Sequence, residues 1–248
     1  MSLAIGSSQF IATGLSFGGR VVLLLGNISI TGKDFQSLFE MADRLYDALQ
    51  EINIPNILNR NSFRYKTRAD GTREYFKRRS NLIDENEPLC SCVFGLVTSP
   101  RWAWDVRPSV MARKYPHVEL MLREYAKQHI PDFPYTTITV NHNLKCKKHL
   151  DTSNHGASAI TSVGEFTGGE LNIASGKDYE KFDTRHRFVV YDGGRCVHWN
   201  DDIVGDKYSI VFYCNRSILQ HAKKHADDPR FHDLAKITAA SVDIPYYI

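Results

Sequence analysis

The chain has 248 residues, 42% hydrophobic and 24% charged, with a net charge of +3. That is long enough to bury a sizeable core, but its longest apolar run, VVLLL at 21–25, falls far short of the roughly 20 residues a bilayer-spanning helix requires. Five cysteines, an odd number scattered along the sequence, argue against a disulfide-stapled fold and for a reducing compartment.

The opening MSLAIGSSQF lacks the basic and apolar regions of a secretory signal, so the expectation is an intracellular protein of cytoplasm or nucleus, not a secreted one. The VVLLL run reads as a strand. After it, TGKDFQSLFEMADRLYDALQEI opens with a cap-like Thr31-x-x-Asp34 box. It then sets Phe35, Leu38, Phe39, Ala42, Leu45, Tyr46, Leu49 and Ile52 at helical spacing, an amphipathic helix with its stripe on the core. Segment 60–79 is a basic hairpin. Arg60, Arg64, Lys66, Arg68, Arg73, Lys77, Arg78 and Arg79 outnumber Asp70 and Glu74, Phe63, Tyr65, Tyr75 and Phe76 are interleaved, and Asp70-Gly71 supplies the turn. Such a ribbon suits a phosphate backbone, and equally a solvated surface.

The Cys90-Ser91-Cys92 run has no second ligand pair at finger spacing, so two buried thiols on a strand are expected rather than zinc. A second helix starts at Pro116, carries Val118, Met121, Leu122 and Tyr125, and stops at Pro131. From 135 to about 215 the texture changes to short β-branched and aromatic segments between Gly and Asp turns, such as YTTITVNHN, GGELNIA and KYSIVFYCN, the pattern of a β-sandwich or barrel. The expected class is therefore α+β in one domain. An α/β buttress (1–134) carries the hairpin, a β-rich core spans 135–215, and a helical segment spans 216–248. No internal repeat or linker divides it, and nothing in the sequence defines a partner protein or a membrane contact.

Candidate chemistry begins at His149 and Asp151, one residue apart in KCKKHLDTSN. Alternate residues of an extended segment project to one side, so the pair offers two ligands of a two-histidine, one-carboxylate set. Among ten histidines, a solvated loop is the reading that the pair taken alone favours. His198, after a strand and the Gly193-Gly194 turn, is the best third ligand. Further on, strand alternation puts Lys207, Ser209 and Val211 on one face and Tyr208, Ile210 and Phe212 on the other. A cation and a hydroxyl projecting inward suit the distal carboxylate of a dicarboxylic co-substrate.

The run HLD, then GASAITSVGEFTGGELNI, then RFVVYDGGRCVHWNDDIVGDKYSIVFY, resembles the double-stranded β-helix core of the Fe(II)- and 2-oxoglutarate-dependent dioxygenases. The TVNHN, GEFTGGEL and YDGG segments are most similar to the branch of TET and base-J-type thymine hydroxylases. The resemblance implies that His149, Asp151 and His198 bind Fe(II), with 2-oxoglutarate and O2 as co-substrates. It implies that Lys207 pairs with the distal carboxylate of 2-oxoglutarate, as a point charge where many members present an arginine fork, with Ser209 beside it. Asn141 and Asn143 are expected on one strand face toward the metal, donating to the C1 carboxylate or, equally, bonding to backbone. Arg187, and with it Arg185, is a further anion contact, and Phe166, Trp199 and Tyr213 are candidate walls. The implied reaction is hydroxylation of a C–H bond, with the methyl group of 5-methylcytosine or thymine in DNA as the leading substrate and RNA as a further nucleic-acid partner. Arg64, Lys66, Arg68, Arg73, Lys77, Arg78 and Arg79 would grip the nucleic acid. The alternatives are a protein prolyl or lysyl hydroxylase, a small-molecule hydroxylase and, last, a non-catalytic binding module.

Overall fold

The computed structural model describes residues 21–22, 32–54, 56–57, 62–67, 69–70, 73–78, 89–99, 105–231 and 233–235. The rest of the apolar run, the Thr31 cap, Arg60, Arg68, Arg79 and the tail from 236 onward lie outside the described residues. Strand β1 (Val21–Val22) pairs with Tyr191 and Val190. Helix α1 (Gly32–Gln50) buries Ala42, Leu45, Ala48 and Leu49 and exposes Glu40, Asp43, Arg44 and Asp47, as its spacing requires. Strand β2 (Asn56–Ile57) precedes the hairpin of β3 (Ser62–Thr67) and β4 (Arg73–Arg78). That hairpin pairs from Ser62 opposite Arg78 to Thr67 opposite Arg73, around a turn holding Asp70.

Strand β5 (Leu89–Thr98) carries Cys92 buried and Cys90 half-buried, both as free thiols, and β6 (Val106–Pro108) pairs with it. Helix α2 (Val110–Lys114), a short element with no strong sequence period, is capped by Ser109, whose hydroxyl accepts from the Ala112 amide at 3.0 Å. Helix α3 (Pro116–His129) has Pro116 in its first turn and buries Val118, Leu122, Tyr125 and Ala126. No helix among the described residues is long and apolar enough to cross a membrane.

The β-rich half then runs β7 (Thr137–His142), β8 (Asn154–Val163), β9 (Phe166–Gly168), β10 (Leu171–Ser175), β11 (Asp178–Phe182), β12 (Val189–Tyr191), β13 (His198–Asn200), β14 (Ile203–Gly205) and β15 (Tyr208–Asn215), closing with helix α4 (Arg216–Lys224). The larger sheet is ordered β1-β12-β8-β15-β7-β5-β2 with β6 on β5, and the smaller one β11-β10-β13. An antiparallel bridge between His149 and His198 adds the His149 segment to the smaller sheet. Between 137 and 215 the chain therefore alternates: β7 in the large sheet, His149 in the small, β8 large, β10 and β11 small, β12 large, β13 small, β15 large. This alternation is the double-stranded β-helix, a jelly roll, and it is the fold class expected.

Side-chain period then separates core from cavity. On one face of the large sheet Ile138, Val140, Ala159, Ile210 and Phe212 are fully buried with Leu45, Leu49, Leu122 and Tyr125 of the helices, each large apolar side chain contributing about 1.5–3 kcal/mol. The alternate positions, Thr139, Asn141, Ile160, Ser209 and Val211, face the smaller sheet and line a cavity. The helices hold the large sheet from behind and leave its inner face free for chemistry.

Candidate metal centre

His149 and His198 meet as an antiparallel pair, each amide donating to the other's carbonyl at 3.0 Å, which brings the ring centres to 4.1 Å. Asp151 lies between them. One of its oxygens is 3.6 Å from His149 Nε2, the other 3.6 Å from His198 Nε2, and one ligand atom from each residue lies within 4.8 Å of the others.

Both imidazoles are oriented from behind. His149 Nδ1 is 2.7 Å from the Lys147 carbonyl and His198 Nδ1 2.9 Å from that of Cys196. A carbonyl only accepts, so each Nδ1 carries a proton, which leaves Nε2 as the ring nitrogen able to act as a ligand beside Asp151. Burial, then the neighbouring His198, holds the His149 pKa below its ordinary value, favouring the neutral ring. Asp151 is positioned in turn: its amide donates to the Gly193 carbonyl at 2.7 Å, and Asn154 Nδ2 donates to Oδ2 at 3.3 Å. A Cβ on Gly193 would sit 3.3 Å from that same Oδ2, so the glycine permits the close approach. Two imidazoles and a carboxylate form the donor set suited to a non-haem Fe(II) with open positions. Cys146 borders the cavity, where burial, reinforced by the Asp151 charge, pushes its thiol up to about 12; it is not one of the three residues whose ligand atoms converge.

The cavity holds about 180 Å³. Ser91, Asn141 and Ser209 stand in one cross-strand row on its floor. Lys207, immediately before β15, is 3% exposed. Its ammonium donates to the Gly169 carbonyl and lies 5.0 Å from the Phe166 ring centre. Burial brings its pKa down to about 8, against the pull of Asp183 and Glu170. Among the described residues no carboxylate forms an ion pair with it, so the cavity wall carries an uncompensated cation able to receive an anionic ligand.

Lys207, Ser209, Asn141, Trp199 and Tyr213 all border the cavity with the three metal-ligand candidates. Three expected placements are corrected. Asn143 does not share the Asn141 face: it lies past the end of β7 with φ +47°, and its side-chain oxygen accepts from the Lys207 amide at 2.7 Å. That is the backbone-bonding alternative, and it steers the chain into Lys207. Arg187 is exposed and lies outside the cavity lining, because the chain at 184–187 turns back on itself through Arg187 N–H to the Thr184 carbonyl. Phe166 backs Lys207 instead of walling the cavity mouth. Of the basic hairpin, Arg64, Lys66, Arg73, Lys77 and Arg78 lie on paired strands, while Arg68 and Arg79 are outside the described residues. Next to the metal candidates, Lys145 pairs with Asp202, and Lys148 lies 4.3 Å above the Trp199 ring.

Sequence reasoning read Gly193 only as half of a Gly-Gly turn and did not single out Asn154 and Tyr191. Tyr191 stacks edge-on against His198 with ring centres 4.9 Å apart. Only the Asn three residues after Asp151, an Asx-type spacing, carried a signal.

Neither protein-family models nor curated proteins match this sequence. Among solved structures, the chain is similar to a 2OG-Fe(II) oxygenase family oxidoreductase from Burkholderia pseudomallei (12% identity over 79% of this chain and 88% of that one, TM-score 0.44). It is also similar to a Pseudomonas putida prolyl-4-hydroxylase (13% identity, 75% and 89%, TM-score 0.38). A third is NgTET1 in complex with 5mC DNA (12% identity, 73% and 91%, TM-score 0.37).

Proposed function

We propose that this chain is an Fe(II)- and 2-oxoglutarate-dependent dioxygenase, and that it hydroxylates the methyl group of 5-methylcytosine or thymine in DNA. One observation carries the class: two imidazole Nε2 atoms and one carboxylate converge on a point in the same cavity as a buried ammonium that no carboxylate among the described residues pairs with. His149, Asp151 and His198 would hold the iron, and Lys207, with Ser209 beside it, the distal carboxylate of 2-oxoglutarate. Iron bound there would supply O2 activation for C–H hydroxylation, with one oxygen atom going to the product and the other to succinate as 2-oxoglutarate loses CO2.

The chain's own residues then position and shield. Lys147 and Cys196 carbonyls hold Nδ1–H of each ring and turn both Nε2 atoms toward the centre, and Asn154 and Gly193 hold the carboxylate. Asn141 stands across from Ser209 and is oriented for the inner end of the co-substrate. Trp199 and Tyr213 narrow the space left to water. For the substrate, support comes from the basic hairpin and from exposed Lys147 and Lys148, two residues and one residue before His149. A base in duplex DNA would have to be flipped out to reach a centre set inside the barrel.

The test is to incubate purified protein with Fe(II), 2-oxoglutarate, O2 and methylated DNA, then digest the DNA and examine nucleosides by mass spectrometry, with succinate measured in parallel. New hydroxymethyl nucleosides that vanish in Asp151→Ala support the proposal. Unchanged bases together with succinate formed on a peptide or small molecule would remove the DNA substrate and keep the class. Succinate formation unaffected by Asp151→Ala would remove the class.

A further inference from the structure

Behind Lys207, outside the lining of the inner cavity, stand two residues that the proposed chemistry does not use. Phe166, at the start of β9, is 5% exposed. Its ring centre lies 5.0 Å from Lys207 Nζ and 4.4 Å from the Arg185 guanidinium carbon. The two cations belong to different spaces. Lys207 borders the inner cavity with Ser209 and Gly169, whereas Arg185 borders an outer, open cavity of about 570 Å³ together with Asp43, Tyr46 and Glu165. Phe166 borders the outer cavity while facing Lys207, so its ring is the partition between the two spaces. It is held on both sides. The Arg185 guanidinium donates to Phe166's own carbonyl, and the Arg185 amide is tied to Asp183 Oδ1 at 2.9 Å. On the inner side, Lys207 is anchored on the Gly169 carbonyl.

We propose that Phe166 sets the length of the dicarboxylate accepted by Lys207, and that Arg185 is the positioning residue that clamps the ring in place. The inference rests on reading the inner cavity as the 2-oxoglutarate site. A diacid one methylene longer must drive its distal carboxylate deeper, into the ammonium and the ring behind it. Discrimination of a single methylene by a closed wall is about 10–200-fold. Truncating the ring opens the wall at the point where Arg185 stands, and a guanidinium there can receive the longer acid's carboxylate as a two-point fork.

The experiment is calorimetric titration of Mn(II)-loaded protein with 2-oxoglutarate and with 2-oxoadipate, in wild type, Phe166→Ala, Arg185→Ala and the double variant. The expected wild-type preference for 2-oxoglutarate is at least tenfold in Kd. Phe166→Ala should erase or invert it. Arg185→Ala, at an exposed position that tolerates truncation, should narrow it by releasing the ring. The double variant should lose the gain for 2-oxoadipate seen in Phe166→Ala. A wild type that binds both acids equally, or single variants that keep the wild-type ratio while still binding 2-oxoglutarate, would overturn the inference and leave the co-substrate reading standing. Wild-type protein that binds Mn(II) but neither acid would overturn both.

Discussion

Gly169→Ala separates the stability of the barrel from the holding of an anion. Gly169 has φ +69°, and a Cβ there would lie 2.9 Å from Ile203 Cγ1, 2.9 Å from Lys207 Nζ and 3.1 Å from Lys207 Cδ. An L-residue in the left-handed region costs about 1–2 kcal/mol. The Ile203 contact demands a shift of a few tenths of an ångström on top, partly offset by the less flexible unfolded chain, a gain of about 0.4–1 kcal/mol. A net loss of about 1–2 kcal/mol follows, which at roughly 2–4 °C per kcal/mol for a chain of this size lowers Tm by several degrees. The lysine, being flexible, yields cheaply. In yielding, its ammonium leaves the position from which it would meet a carboxylate, a charge-assisted contact worth about 1.5–3 kcal/mol. The expected result is a 2-oxoglutarate Kd raised roughly 10–100-fold, with Mn(II) affinity unchanged, read by calorimetry beside a thermal melt. An unchanged 2-oxoglutarate Kd in a protein whose Tm has fallen would refute the assignment of Lys207 as the carboxylate anchor.

Asp151→Ala should lower Mn(II) or Fe(II) affinity by at least about 100-fold, beyond the 10–100-fold typical of an outer-shell loss. The metal-free Tm should stay within about 2 °C, because the side chain is 31% exposed. With Lys207 proposed as the carboxylate anchor, binding of 2-oxoglutarate would require it charged, and burial brings its pKa down to about 8. Affinity should therefore be flat near neutrality and fall as pH rises through about 8, and Lys207→Arg should flatten that decline; titrations at pH 7 and 9 decide. Burial depresses the pKa of His129, and likewise those of His149 and His186. Depressed folded values mean that these groups' contribution is complete above the ordinary histidine pKa of about 6.5 and is lost as pH falls through the lower folded ones. Urea denaturation of metal-free protein should show declining stability from pH 6.5 to pH 5. A constant midpoint over that range would contradict it.

Local pattern made the helices legible. Leu45, Leu49 and Ala42 recur at helical spacing and are all buried, and Pro116 both starts α3 and marks its first turn. It also exposed the facing of β15, where Tyr208, Ile210 and Phe212 go to the core and Ser209 and Val211 to the cavity, because a period of two leaves no other arrangement. Pattern failed where the chain leaves regular structure. Asn143 was given strand alternation one residue past the strand, where φ turns positive and its amide oxygen finds the Lys207 N–H. Arg187, expected as an anion contact, lies at the end of the tight 184–187 turn, exposed and outside the cavity lining. Helix α2, at five residues, is too short to show a period.

What the sequence alone determined is the set of groups and their local projection: His149 and Asp151 one residue apart, His198 after a Gly-Gly turn, and Lys207 alternating with the core residues of β15. These follow from spacing, which covalent geometry enforces over a few residues. What tertiary structure decided is convergence. The pairing of His149 with His198 joins positions 49 residues apart through two backbone hydrogen bonds, and only the alternation between two sheets makes them neighbours. The same crossing sets Phe166 and Gly169 against Lys207 and clamps the ring with Arg185. Contacts between segments so far apart in sequence depend on strand order and register, which no local pattern specifies and which the burial of one whole sheet face against α1 and α3 fixes.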